Sequence, residues 1–287
     1  EMLRPEWGVD MIIGGHSHTV LKKPKMVNGV LIAQAGVGTD QIGRFDIVVD
    51  DDTNAIVDYE WELIPIDENL AKPDEAIQKF IDTFKEDVDR KYNTLICKLA
   101  KELTHPKREV ETSLGNLVAD AFAKAAECDV MLVGSGSIRV EEMGPAVTLK
   151  DLMTCFPYDD VLGRYTINGA QLKRIFAHIM RIENRNSEGE CYQVNSKIRA
   201  IYNDSSCKLE SLKVNGEEVK DEENYTVAMQ RYHFKSAKEY LNITMEELLA
   251  SGEDKTVATS AQQVLEEYLR NNQNIKKNVE GRLVYKT

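Results

Sequence analysis

The sequence predicts an α+β protein, with helices and β-hairpins mixed along the chain rather than alternating as strand–helix–strand units. Three observations carry that prediction. Two Asn-Gly pairs, Asn28-Gly29 and Asn215-Gly216, lie between short apolar runs and mark tight hairpins. Apolar residues recur at three- and four-residue steps in Leu114, Leu117, Val118, Ala121, Phe122 and Ala125, and again in Leu172, Ile175, Phe176, Ile179 and Ile182, which is helical spacing. Between Cys191 and Met229, by contrast, short alternating or clustered runs follow one another with no helix between them.

Taken in order, Val9 to Ile13 reads as a buried strand that needs partners on both sides. It leads into Gly14-Gly15-His16-Ser17-His18-Thr19. A β-meander follows: the Met26 to Leu31 hairpin, then strands over Phe45–Val49 and Ile56–Ile64 joined by the acidic turn Asp50 to Asn54. Such an acidic run is a solvated turn, and no calcium is assigned to it. From Pro73 to about Leu99 the chain reads as one amphipathic helix with Ile77, Phe80, Ile81, Phe84 and Val88 on one face. Thr112 or Ser113 caps the next helix by accepting from the orphan N–H groups of its first turn. Val130 to Val133 is a core strand, and it ends in the Gly134-Ser135-Gly136-Ser137 turn. Leu149 to Thr154 is a short helix stopped at Phe156-Pro157. Val161 to Ile167 is a strand, and Asn168-Gly169 opens the helix over Leu172–Ile182. Strands are expected at Cys191–Val194, Ile198–Tyr202, Leu209–Val214 and Tyr225–Met229, a helix from about Ser260 to Asn271, and a closing strand over Val279–Tyr285. The composition shifts divide the chain into residues 1–67, a linker helix over 68–98 and a domain over 99–287.

Composition narrows the function. The net charge of −12 argues against a nucleic-acid polymer, whose phosphates need clustered Lys and Arg, while leaving room for a small phosphorylated ligand held by one or two local arginines. No run approaches the roughly 18 apolar residues of a membrane span. The five cysteines are scattered, with no C-x-x-C pair, which fits reduced thiols in a cytoplasmic protein. One bridge, for example Cys191 to Cys207, stays open, and with it a secreted or cell-surface location.

Two stretches carry candidate chemistry. His16 and His18 follow a strand and two glycines, so both imidazoles can point into one site as metal ligands; a pair of solvated loop histidines is the plain alternative. The Gly134–Ser137 turn, closing at Ile138-Arg139, offers backbone N–H groups and two hydroxyls beside a guanidinium, which suits an anion; as a bare pattern it is also an ordinary connector.

The ordered set Arg108-x-x-Glu-Thr-x-Leu-Gly-Asn-Leu-x-Ala-Asp-Ala, then x-Gly-x-Ile-Arg139, then Pro157-Tyr158, resembles the C-terminal domain of the 5'-nucleotidase family, which also contains UDP-sugar hydrolases and 2',3'-cyclic nucleotide phosphodiesterases. Gly15-His16-Ser17-His18 resembles the last metal-ligand motif of the calcineurin-like metallophosphatase domain that usually precedes it. The resemblance implies a 5'-nucleotidase-type domain of mixed helices and hairpins after a β-rich fragment of a metallophosphatase α/β sandwich. It implies that His16 and His18 are ligands of a two-metal centre in a longer protein; the family's other ligand motifs are not in this chain, so catalysis is incomplete here and the metals are not held stably. It implies a nucleotide or nucleotide-sugar ligand contacted by Arg108, by Gly134, Ser135, Gly136 and Ser137 of the turn, by Arg139 and by Tyr158 as a stacking ring. Glu111, Asn116 and Asp120 fall where the family supports its loop from behind. Three departures stand out. The family's leading Asn of the loop is Gly134 here, two of its glycines are Ser135 and Ser137, and the Gly-Gly-Asp-Gly-Tyr/Phe segment that completes the base clamp is replaced by Gln230-Arg231-Tyr232-His233-Phe234, leaving Tyr232 or Phe234 as second ring or as cover for the domain edge. The alternative is a binding or interaction module that has lost its nucleotide.

Overall fold

The computed structural model describes residues 7–252 and 255–287. The chain divides into two compact units, Glu1–Lys85 and Glu86–Thr287.

In the first unit, β1 (Met11–Ile13) pairs in parallel with β3 (Val30–Ala33), which pairs antiparallel with β2 (Lys25–Val27). Asn28 and Gly29 both take positive φ, 50° and 80°, as the two-residue hairpin between β2 and β3 requires. The expectation of a strand buried on both sides is corrected here: β1 lies at the sheet edge, and Ile13 is 68% exposed. β4 (Gln41–Asp50) and β5 (Ala55–Pro65) form a long hairpin in which Phe45 packs on Trp61 at 4.4 Å between ring centroids. α1 (Glu75–Tyr92) spans the boundary between the units; it is shorter than the expected run to Leu99, because Leu95–Lys98 leaves as strand β6, and none of its residues is buried.

The second unit is built on a five-stranded sheet with order β12 (Tyr192–Val194), β8 (Val130–Gly134), β16 (Asn224–Gln230), β11 (Leu162–Asn168) and β17 (Lys255–Ala258); β8 and β16 are parallel and the other pairs antiparallel. Successive residues of β8 point to opposite faces, so the strand is buried twice. Met131 and Val133 enter a core with α2 (Ser113–Ala126), α3 (Leu149–Cys155) and α8 (Ala261–Asn271). Val130 and Leu132 enter a second core with α4 (Gly169–Ile179) and a four-stranded sheet, ordered β15 (Glu217–Glu218), β14 (Lys208–Val214), β13 (Ile198–Asn203) and β18 (Leu283–Lys286). Short pairs β6 (Leu95–Lys98) with β10 (Ala146–Thr148) and β7 (Leu103–Thr104) with β9 (Glu142–Met143) complete it.

Thr112 caps α2, accepting from Gly115 N at 3.0 Å. Asn168 caps α4 with a reciprocal bond from Gln171, and Thr148 caps α3 likewise with Asp151. α4 stops at Ile179, so Ile182 is exposed rather than inward. The closing strand starts four residues later than expected, at Leu283. Three short helices escaped the periodicity reading: α5 (Arg231–Lys235), α6 (Ala237–Tyr240) and α7 (Met245–Leu249). Cys191 and Cys207 are both free thiols, Cys191 leading into β12 and Cys207 in the turn between β13 and β14, which closes the question of a bridge between them. Among the described residues no helix is long and apolar enough to cross a membrane.

The C-terminal segment is locked by a buried ion pair. Arg282, with no exposed surface, donates through Nη1 and Nη2 to the two Asp120 oxygens at 2.9 Å each, and through Nη1 to Val194 O at 2.7 Å. Lys277 is a second partner of Asp120. Burial alone would raise the Asp120 pKa, but the hydrogen bonds and charges of Arg282 and Lys277 outweigh it and hold the carboxyl below the ordinary aspartate range. A carboxyl depressed in the folded state adds stability that is present above the unfolded value, near 3.8, and is lost as pH falls through the lower folded value. Asp120→Asn removes one of the two carboxylates on the buried guanidinium and leaves Glu280 Oε2 3.0 Å from Nη2, so it is expected to cost about 1–3 kcal/mol at pH 7. In urea denaturation the gap to the parent should narrow below about pH 4; a gap independent of pH over that range would contradict the pairing.

Candidate functional site

The turn after β8 is a single 3-10 turn, Ser135–Ser137, and what holds it is a buried amide. Gln193, near the centre of β12 and 1% exposed, donates from Nε2 to Ser135 Oγ at 2.7 Å and to Val110 O at 2.8 Å. Its Oε1 accepts from Thr112 N at 3.1 Å. One side chain thus joins the turn, the N-cap of α2 and the strand of chain carrying Arg108. Gly115 stands against it, because a Cβ there would lie 2.3 Å from Gln193 Oε1. His105 braces the same region, with Nδ1 2.8 Å from Thr112 Oγ1 and Nε2 3.1 Å from Ser135 O; burial, before any neighbouring charge, lowers its pKa and favours the neutral ring.

Arg108 and Arg139 come together. Both line one open cleft of about 280 Å³, with His105, Pro106, Ile138, Val140 and Glu141. Arg139 donates to Gly136 O at 3.2 Å and lies 6.0 Å from the centre of the Tyr158 ring, rather than pairing with Glu109 or Glu111. Tyr158 is 52% exposed, so the ring has free surface beside a guanidinium.

The turn itself is less open than its sequence suggests. Ser135 N donates to Cys191 O, Gly136 N to Glu190 Oε1, Ile138 N to Ser135 O and Arg139 N to Cys155 O. Ser135 is buried with its hydroxyl bonded to Gln193, and Ser137 Oγ donates to Gln230 Oε1 at 3.2 Å. The expected row of free donors is therefore largely spent on holding the loop. Gly134 has a steric reason for its identity, since a Cβ there would lie 2.3 Å from His233 Nε2. The imidazole fills the space an asparagine side chain would need.

Glu111, Asn116 and Asp120 support a different segment from the one expected. Glu111 accepts from Asn116 Nδ2, from Glu280 N and from Arg282 N at 2.6–2.7 Å, Asn116 also donates to Asn278 O, and Asp120 holds Arg282 and Lys277. They fasten residues 277–282, and the turn is left to Gln193 and His105. Of the second-ring candidates, Phe234 lies flat on Tyr165 at 4.9 Å and packs against the second core, so that face is taken. Tyr232 is 54% exposed, with its hydroxyl 3.3 Å from Tyr240 and its ring edge-on to His233. His16 and His18 lie exposed in the first unit at φ of 63° and 56°, and among the described residues no group of three or more His, Cys, Asp or Glu is placed to hold a metal ion. The residues present do not by themselves build a two-metal centre.

Residues 95–246 match the family model described as 5'-nucleotidase, C-terminal domain. The trifunctional nucleotide phosphoesterase YfkN of Bacillus subtilis is 30% identical to this chain over 184 residues, 60% of the chain and 12% of that protein. A 5'-nucleotidase of Vibrio vulnificus is 24% identical over 98% of the chain and 56% of its own length. Among solved structures, the 5'-nucleotidase precursor of Thermus thermophilus superposes with a TM-score of 0.73 at 20% identity, over 98% of this chain and 60% of that one, a likeness of fold. The chain thus spans between about an eighth and three fifths of the length of these proteins.

The packing of His233 on Gly134 is open to a direct check. Gly134→Ala should cost about 1–3 kcal/mol through overpacking. Pairing it with His233→Ala should make the double variant more stable than the sum of the single effects predicts. Additive costs in a double-mutant cycle would place the imidazole elsewhere.

Proposed function

The chain belongs to the 5'-nucleotidase C-terminal domain family, and on that premise we propose that it is the substrate-binding part of a two-domain, metal-dependent phosphoesterase acting on nucleotides or nucleotide sugars. What supports this reading most is the convergence of Arg108 and Arg139 on one cleft, with the exposed face of Tyr158 beside Arg139. Two guanidiniums in an otherwise acidic chain offer charge-assisted bonds to a phosphate or its neighbouring oxygens, and the phenol ring offers a stacking face to a base.

In this reading the chemistry lies outside the chain. His16 and His18 would hold part of a metal centre completed by other residues, and divalent ions bound there would supply Lewis-acid polarisation of a phosphoryl group. The part played here is to bind and orient. Arg139 is held in place by Gly136 O and the Tyr158 ring, so its head is partly ordered before ligand arrives. The second reading, a binding module that has lost its nucleotide, draws on the internally bonded turn and on Phe234 lying against Tyr165.

Calorimetric titration with AMP, adenosine and UDP-glucose separates the two. The parent should bind AMP, and Arg139→Ala should weaken it by about tenfold to a hundredfold, the loss of one charge-assisted bond. Tyr158→Phe should be nearly silent and Tyr158→Ala should cost about 1 kcal/mol. Flat titrations for all three ligands would favour the second reading. The isolated chain should release no p-nitrophenol from p-nitrophenyl phosphate in the presence of manganese; turnover that His16→Ala abolishes would overturn the division of labour.

A further inference from the structure

Among the described residues, Glu190 is the carboxylate that accepts from the Gly134–Ser137 turn. Its Oε1 accepts from Gly136 N at 3.3 Å. A Cβ placed on Gly136 would lie 3.4 Å from that oxygen and 3.6 Å from Arg108 Nη1, so carboxylate and guanidinium both border the same glycine. A Cβ placed on Gly134 would lie 3.4 Å from the same oxygen and 2.3 Å from His233 Nε2. His233 is 2% exposed; its Nδ1 lies 3.0 Å from Tyr192 Oη, and its Nε2 has no hydrogen-bond partner among the described residues. Burial pushes its pKa down to about 4, so the ring is neutral at pH 7.

This arrangement is the reverse of an anion-binding loop. Such a loop needs free N–H groups converging on empty space. Here the Gly136 N–H already faces a carboxylate, and the N–H groups of Ser135, Ile138 and Arg139 have acceptors in the protein. A phosphate brought to this edge would meet Glu190 at hydrogen-bond range, a like-charge contact in partly buried surroundings. A hydroxyl would not: it donates to the carboxylate and accepts from Arg108.

We propose that Glu190 is a specificity-determining residue of this turn, reserving it for the uncharged, hydroxyl-bearing part of a ligand and excluding phosphate from it. A nucleotide would then lie with its sugar hydroxyls at Glu190 and Arg108 and its phosphate on the Arg139 side of the cleft, clear of the Glu190 carboxylate. The exclusion of anions stands on the geometry alone, while the identity of the neutral ligand as a nucleoside rests on the proposed function.

The test uses the whole chain, calorimetry, and two probes, inorganic phosphate and adenosine. Glu190→Ala should bind phosphate about tenfold or more tightly than the parent and adenosine about tenfold more weakly, the scale of one charge-assisted hydrogen bond. Glu190→Gln, which keeps an acceptor for Gly136 N but removes the charge, should gain phosphate affinity in the same direction, and keeps the test open if the alanine variant folds poorly. Phosphate affinity equal to the parent's in both variants, or adenosine affinity untouched by Glu190→Ala, would overturn the assignment. A parent that binds neither adenosine nor AMP would sink the proposed function, and the phosphate arm would still decide the role of Glu190.

Discussion

The candidate site depends on three hydrogen bonds of one buried amide. Gln193 is inside the protein with Oε1 accepting from Thr112 and Nε2 donating to Val110 and Ser135. Leaving any buried partner unmatched costs about 1–3 kcal/mol, so this one side chain makes three segments move as a unit. Those segments bring Arg108, the capped start of α2 and the turn before Arg139 to a common edge. Gly115 follows from the same contact, because any side chain there would collide with the Gln193 carboxamide. The Thr-x-x-Gly pattern at the start of α2 is thus a cap and a clearance in four residues.

A second polar knot does for the C-terminus what Gln193 does for the turn. Arg282 is buried on Asp120 and Val194 O, and Glu111 collects the backbone N–H groups of Glu280 and Arg282. The β18 strand is delivered beside β13 by that anchoring, with Ala200 opposite Leu283. The two knots share β12, which supplies Gln193 to one and Val194 O to the other. Polar residues inside an apolar domain are therefore concentrated where separate chain segments must be held in register. Arg108, Arg139 and Tyr158, the groups proposed to meet the ligand, are left exposed.

What could be read from the residues alone was what is local. The helix over Leu114–Ala125, its Thr112 cap, the doubly buried Val130–Val133 strand and the Asn-Gly hairpins all announce themselves within a few residues. The arginines were found through motif order, and they do line one cleft. Glu190 and Gln193 gave no local signal of their roles, because their partners lie 54 to 83 residues away in sequence. A glutamine between Tyr192 and Val194 in a short apolar strand was the only available hint. α5, α6 and α7 were missed because five residues or fewer cannot show a helical period, and each buries a single side chain: His233, Ala237 and Leu248. The free-donor reading of the turn failed for a related reason: sequence shows which N–H groups exist, while tertiary packing decides which are spent.

The claim that most needs direct observation is that the edge formed by Arg108, the Gly134–Arg139 turn and Tyr158 receives the ligand. Backbone amide shift mapping of the isotope-labelled chain during AMP titration reads this residue by residue. The account predicts saturable shifts at Gly136 to Arg139, with Arg108 and Tyr158 following, and none in the β4–β5 hairpin. Shifts confined instead to the cleft lined by Lys124, Tyr268 and Asn271, or none at the turn when AMP binding is saturated, would contradict it.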